Sequence, residues 1–188
     1  MAVTVEDGTQ VPGADSYITV AYADDYNAKY GNAAWAALPS EDDVPAPASG
    51  TVTKEACLRR ATQYMVGMYR LRWKGLRASV TQPLDWPRIA VVLDDVTSYF
   101  VDQAFFYQVP ANVVPDVVMK ANAILAFKAI TQDLAPDLDQ RTLVEKVGPI
   151  QVNYDRLSPQ YRRFIEVDRL LNAFLDATNG LTAKVNRG

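Results

Sequence analysis

Apolar positions are densest between Val113 and Leu134, VVPDVVMKANAILAFKAITQDL, and the other patterns in the chain are arranged about that stretch. Pro115 suits a first helical turn, where its missing N–H costs nothing, and Asp116 sets a negative charge at the positive end of the helix dipole. Wound at about 100° per residue, the segment places Val118, Leu125, Ala126 and Ala129 on one side. Val117, Ile124 and Phe127 fall among Asp116, Lys120, Lys128 and Thr131 on the other. A helix apolar on nearly all sides is the buried centre of a bundle or is shared with a second subunit. At roughly 20 residues it would run about 30 Å, ending where Asp133, Pro136 and Asp137 interrupt it.

Shorter patterns flank this centre. Val3-Thr4-Val5-Glu6 and Thr9-Gln10-Val11 alternate around Asp7-Gly8, which predicts a small N-terminal β-arm. Thr19 is placed to cap a helix from Val20 to Tyr30, with Ala23, Tyr26 and Tyr30 along one face and Gly31 as its stop. Asn32 heads a short turn that carries Trp35 inward. Residues 39–51, PSEDDVPAPASGT, have no hydrophobic period and read as a loop. Thr53 then caps a helix from Lys54 to Tyr69, with Cys57, Leu58, Ala61, Tyr64, Met65 and Met68 inside and a Glu55–Arg59 pair outside.

Residues 89–109 hold two apolar runs around Asp94-Asp95, compatible with a hairpin or a short helical excursion. Thr142–Val147 and Ile150–Tyr154 alternate about Gly148-Pro149 and predict a hairpin. Ser158-Pro159 starts a last helix with Phe164, Val167, Leu171 and Phe174 on its inner face. Arg162, Arg163, Glu166, Asp168 and Arg169 lie opposite, and Asn179-Gly180 ends it. The polar tail Leu181–Gly188 is expected to order only against a partner. The expected fold is therefore mainly α: one domain over residues 1–180, a helical bundle around a central buried helix with a small β-hairpin and an N-terminal β-arm, and a flexible tail at 181–188.

Composition narrows the chemistry. The chain has 188 residues, enough for one domain with a substantial core. It shows no basic and apolar leader and no apolar run of membrane-spanning length, so a soluble protein is expected. Histidine is absent, which removes the usual general base, the Ser-His and Cys-His pairs and the commonest transition-metal ligand. No phosphate-cradling glycine motif occurs. Cys57 is the single cysteine and sits on an apolar helix face, as a buried side chain rather than a reactive thiol. Glu41-Asp42-Asp43 reads as a solvated run, not a metal site. The expectation is no enzyme activity, no cofactor and no metal.

The net charge of −3 conceals alternation. Residues 1–53 set eight acids against Lys29, and residues 54–93 set eight bases against Glu55 and Asp85. Residues 94–140 are acidic again and 141–188 basic. Alternating blocks suit head-to-side packing of subunits, or simply a mixed surface. Within the basic block, YRLRWKGLRASVTQPLDWPR (69–88) interleaves Arg70, Arg72, Lys74, Arg77 and Arg88 with Trp73 and Trp86. These seven residues are the candidates for a subunit interface or a DNA channel. The composition fits a single-strand stacking surface, and equally a loop whose tryptophans are pinned in the core while its arginines meet a partner's acids.

Several strings in order, VEDGT, DSYITVAYADDY, NAAWAAL, RRATQYMVGMYRLRWKG, QPLDWPR, VPANVVPDVV and EKVGPIQVNYD, resemble the small head–tail connector (adaptor) proteins of tailed bacteriophages. That group is also labelled DnaT-like single-strand DNA-binding proteins. The likeness covers nearly the whole chain and is most specific at WKG with QPLDWPR and at EKVGPI. The segments near 39–51 and 89–109 depart from it as insertions. The resemblance implies a non-enzymatic ring of twelve copies in the virion neck, beneath the portal, made in the bacterial host cytoplasm. Genomic DNA would pass through the ring, tail or stopper proteins would dock below, and no membrane would be involved. It makes Leu181, Lys184, Val185 and Arg187 portal-contact candidates. The alternative function is a single-strand DNA-binding module.

Overall fold

In the computed structural model, which describes residues 2–100, 103–137, 144–147, 150–153 and 163–176, the apolar stretch forms a helix shorter than its pattern predicts. This helix, α4 (Asp116–Lys128), has 13 residues and spans about 20 Å. Pro115 stands at its N-cap in extended geometry rather than inside the first turn, and Ala129 closes it. Val118, Leu125, Ala126 and Ala129 are buried as the winding predicts, while Val117, Ile124 and Phe127 are half-buried against the same core. Three helices surround α4: α1 (Val20–Lys29), α3 (Lys54–Tyr69) and α5 (Ile165–Leu171). Small residues permit the close approach, since Ala121, Ala123 and Ala126 of α4 and Ala61 of α3 are fully buried. One polar pair crosses the seam: the Asn122 side-chain amide donates to Thr62 Oγ1 at 2.8 Å.

The two threonine caps act where the sequence places them, whereas Asn32 makes no side-chain cap bond to α2 (Ala33–Ala36). Thr19 Oγ1 accepts from the Tyr22 N–H at 3.0 Å and Thr53 Oγ1 from the Ala56 N–H at 3.2 Å. Each satisfies one of the backbone donors left free in a first helical turn. Gly31, with a φ of 70°, stops α1. The short helix α2 (Ala33–Ala36) carries Trp35 into the core, where its indole N–H donates to Asp24 at 2.7 Å. Tyr30 is exposed, not part of an inner face, and Asn27 fills the position beside Ala23 by bonding the Ala23 carbonyl.

Strands form three two-stranded antiparallel sheets among the described residues: β1 (Leu76–Arg77) with β2 (Arg88–Ile89), β3 (Val92–Phe100) with β4 (Gln103–Gln108), and β5 (Val144–Val147) with β6 (Ile150–Asn153). The 89–109 stretch is thus a hairpin, with an irregular register between Leu93 and Thr97 that leaves Asp94, Asp95 and Val96 outside the pairing. β5 and β6 pair from Val144–Asn153 to Val147–Ile150, as their alternation predicts. With five helices and three strand pairs among the described residues, the fold is a small mixed one, richer in strand than a mainly α bundle.

Two local expectations are corrected. The N-terminal segment is not a β-arm: the carboxylate of the buried Glu6 collects the N–H groups of Gly8, Gln10 and Val11, curling the chain into a loop. Only a single parallel bridge, Val5 to Ser16, remains. A carboxylate taking three backbone donors outcompetes a two-residue turn that two short strands could barely hold. Glu55 likewise turns inward. It is 1% exposed and accepts from Ser40 Oγ and the Glu41 N–H, while Arg59 pairs with Asp15 and Glu41 instead. Glu55 therefore ties the 39–43 loop to the start of α3.

Gly75 lies at a φ of 68°, and a Cβ there would stand 2.3 Å from the Ile89 carbonyl oxygen and 2.9 Å from Val91 Cγ2. No side chain fits between β1 and β2. Gly75→Ala is expected to lose about 1–3 kcal/mol of stability, read as a lower urea midpoint at unchanged slope. An unaltered midpoint would show that this approach is not a constraint.

Candidate functional site

Residues 69–88 leave the end of α3, run out through β1 and return through β2, and the aromatic side chains decide their course. Tyr69 is fully buried, Trp86 is 0% exposed and Trp73 3%. Their rings form a continuous stack with their neighbours. Ring centroids lie 5.7 Å apart for Tyr69–Trp73, 5.6 Å for Trp73–Trp86 and 5.8 Å for Trp86–Phe174, the last two edge-to-face. At the other end, Tyr64 meets Phe164 edge-on at 5.3 Å. Edge-to-face contact sets the positive rim of one ring against the negative face of the next. The backbone seals the arrangement: the Lys74 N–H donates to the Phe174 carbonyl at 2.9 Å, the Asp176 N–H to that of Arg72 at 2.7 Å, and Trp73 bridges Leu175.

Arg88 holds the two arms of the loop together. It is buried, and its guanidinium donates to the carbonyls of Lys74 (2.9 Å), Gly75 (2.7 Å) and Asp85 (3.3 Å). Gln82 works the same way from the other side, donating to the carbonyls of Leu84 and Pro87 and accepting from the Ser79 N–H. The WKG and QPLDWPR strings are therefore two halves of one clamp. Trp73 and Trp86 are its packed centre, Gly75 its narrowest point and Arg88 its bolt.

The remaining candidates stand around the clamp, each committed internally. Arg70 is exposed and lies 3.5 Å from Asp85. Arg72 stacks on the Tyr69 ring and approaches Asp168 at 3.8 Å, Lys74 pairs with Asp94 at 2.7 Å, and Arg77 reaches the Gln82 carbonyl. The structure brings all seven candidates into one region, and the two tryptophans among them are buried, so neither presents a ring face to solvent. The portal-contact candidates Leu181, Lys184, Val185 and Arg187 lie outside the described residues.

Three features of the site are not in the sequence reading. Asp85 is buried beneath Arg70, and neither of its carboxylate oxygens has a hydrogen-bond partner among the described residues. Burial pushes its carboxyl above the usual range, and the cations of Arg70, Arg88 and Arg77 offset this only in part. Tyr17 reaches the same spot, its hydroxyl accepting from the Asp85 N–H at 3.0 Å. The third is a groove of about 550 Å³ lined by Arg72, Arg163, Ile165, Asp168, Arg169 and Asn172. Only the basic residues at 163 and 169, one just ahead of α5 and the other on its exposed side, signal it in the sequence. Cys57 is buried, and desolvation lifts its thiol to about 11, as an inert core residue requires. No group of three or more metal-ligating side chains occurs, and no helix is long and apolar enough to cross a membrane, among the described residues.

Fold and site define a small mixed α and β domain whose basic loop is closed around its own tryptophans. A family model described as "Putative DnaT-like ssDNA binding protein" matches residues 1–188. The chain belongs to that family. No curated protein and no solved structure matches it.

Trp86→Ala is expected to cost about 3–5 kcal/mol of folding stability, measured by chemical denaturation. An unchanged midpoint accompanied by lost oligonucleotide binding would instead make Trp86 a stacking residue. Asp85 gives a pH signature. Because its folded pKa is raised above an unfolded value of about 4, the folded state holds the extra proton between the two values, and stability falls as pH rises through that window. Asp85→Asn should lack this decline, so the stability of the parent relative to the variant should drop above about pH 4. Parallel profiles in urea titrations from acid to neutral pH would contradict the burial cost.

Proposed function

We propose that the chain is a non-enzymatic assembly protein, a head–tail adaptor that forms a ring in the neck of a tailed-phage virion between portal and tail. The observation that carries this reading is the closed state of the basic loop. Trp73 and Trp86 are packed in the core, and the cations around them are engaged with the chain's own acids, carbonyls and rings. A loop built this way is a rigid structural part. The strings that most resemble the adaptors, WKG with QPLDWPR, are the two halves of this clamp. The absence of histidine and of phosphate-binding glycine motifs supports a role without catalysis. The ring would have twelve copies, with the portal above, tail or stopper proteins below, and genomic DNA passing through its centre. The chain would be made in the host cytoplasm and end in the virion.

A second reading is single-strand DNA binding, and the family description favours it. Binding of that kind would have to use cations outside the clamp, such as Arg60 and Arg169, through phosphate contacts. Its affinity would fall with log salt at a slope of about −0.7 per phosphate contacted. Two measurements separate the readings: electron microscopy of purified particles, and oligonucleotide binding by the purified chain across a salt series. The adaptor reading expects density for the chain at the neck and weak, steeply salt-sensitive oligonucleotide binding. Absence from particles together with submicromolar single-strand affinity at physiological salt would replace it with the second reading.

A further inference from the structure

Two sets of exposed charge stand at opposite ends of α3. At its N-terminal end, buried Glu55 holds the 39–43 loop in place, and the Lys54 N–H donates to the Pro39 carbonyl. That anchoring presents Asp42 and Asp43 to solvent, and neither is in an ion pair among the described residues. At the C-terminal end, beginning three residues past α3, Arg72 joins Arg163 and Arg169 around the groove that Ile165 and Asn172 complete. Arg169 is exposed and has no ion pair among the described residues. Asp168, in the groove wall, accepts from the Tyr69 hydroxyl at 2.8 Å and from Arg163 at 3.1–3.2 Å, so it neutralises one of the three cations. The 16 residues of α3 separate the two ends by about 24 Å.

We infer that the groove is the socket for the acidic loop of a second copy of this chain, Asp42 and Asp43 of one copy docking against Arg163 and Arg169 of the next. The inference rests on the ring reading and adds the residues that join the copies. Two complementary patches at opposite ends of one rigid helix cannot meet each other within a molecule. They also do not match themselves across a two-fold axis unless both patches meet at once. Their natural use is a head-to-tail contact, the heterologous kind that closes into rings. The exposed Ile165 adds an apolar floor beside the guanidiniums. A planar, forked guanidinium is suited to carboxylates as well as phosphates. A carboxylate loop is favoured over a phosphate backbone because Asp168 already lies in the groove wall, where it would repel a polyanion passing along the groove more than a short acidic loop set against Arg163 and Arg169.

The test uses the full chain at several concentrations in low salt, with sedimentation velocity as readout. Asp42→Asn/Asp43→Asn and Arg163→Gln/Arg169→Gln should each weaken self-association about tenfold or more, the scale of a close interfacial charge pair. Arg169→Gln alone, which breaks no internal ion pair, should weaken it in the same direction. Mixed in equal amounts, the two double variants keep one intact acidic loop and one intact groove, and should form a 1:1 dimer that grows no further. A parent chain that stays strictly monomeric at high concentration, variants that associate like the parent, or a mixture that does not dimerise would each overturn the inference. So would groove variants that lose oligonucleotide affinity while association is unchanged, which would make the groove a phosphate site. Detection of the chain at the neck tests the adaptor reading separately, so failure of this contact and failure of that reading are distinguishable.

Discussion

Trp86, packed edge-on between Trp73 and Phe174, is the contact on which the rest of the molecule depends. It joins three parts of the chain: the end of α3, the β1–β2 loop and the short turn after α5. Each ring in the stack buries the next, from Phe174 through Trp86 and Trp73 to Tyr69, and Tyr64 extends the cluster to Phe164. Because α3 and α5 both pack on α4, the stack also fixes how the helices are set around the centre. Arg88 belongs to the same unit. Its three carbonyl bonds satisfy acceptors that the narrow β1–β2 pair leaves inside the protein, where an unmet polar group would cost about 1–3 kcal/mol.

Much of the helical frame is readable from the sequence, because caps and periodicity are local properties. Thr19 and Thr53 mark helix starts that the structure reproduces, and the inner faces of α3 and α4 follow their spacing. What escapes local reading is set by distant partners. Glu6 and Glu55 look like ordinary surface acids until the backbone donors they serve are in place. The end of α4 comes at Lys128 although the apolar pattern continues, since a turn can bury Ala129 and half-bury Ile130 as well as a helix can. The interleaved loop is a further case: composition shows arginines beside tryptophans, but only Phe174, Leu175 and Asp85 determine that the rings face inward. The grooved basic end depends on Arg72 and Arg163 meeting across ninety residues of sequence, and no window along the chain contains both.

The alternating charge blocks take on a spatial meaning in this frame. The first acidic block ends at the loop tied to the start of α3, and the basic block that follows is carried along α3 and folded into the clamp. Internal pairing removes much of the basic excess, through Asp85, Asp94 and Asp168. The family match and the resemblance to adaptors speak to different uses of DNA, one gripping a strand and the other letting a duplex pass. A clamp that keeps its aromatic rings inside accords with the adaptor proposal, in which a channel wall would not hold what moves through it.

The order of the aromatic stack along the chain has a consequence for synthesis. Trp73 and Trp86 leave the ribosome 88 residues or more before Phe174, which closes over Trp86. At about 5–20 residues per second, the two indoles wait several seconds without their final cover. During that interval they form an exposed apolar surface of the kind that draws chaperones or neighbouring nascent chains. A chain interrupted anywhere before residue 174 keeps that surface permanently. Completion of the last helical segment is thus the step that covers the two indoles, and incomplete copies are left with an uncovered core.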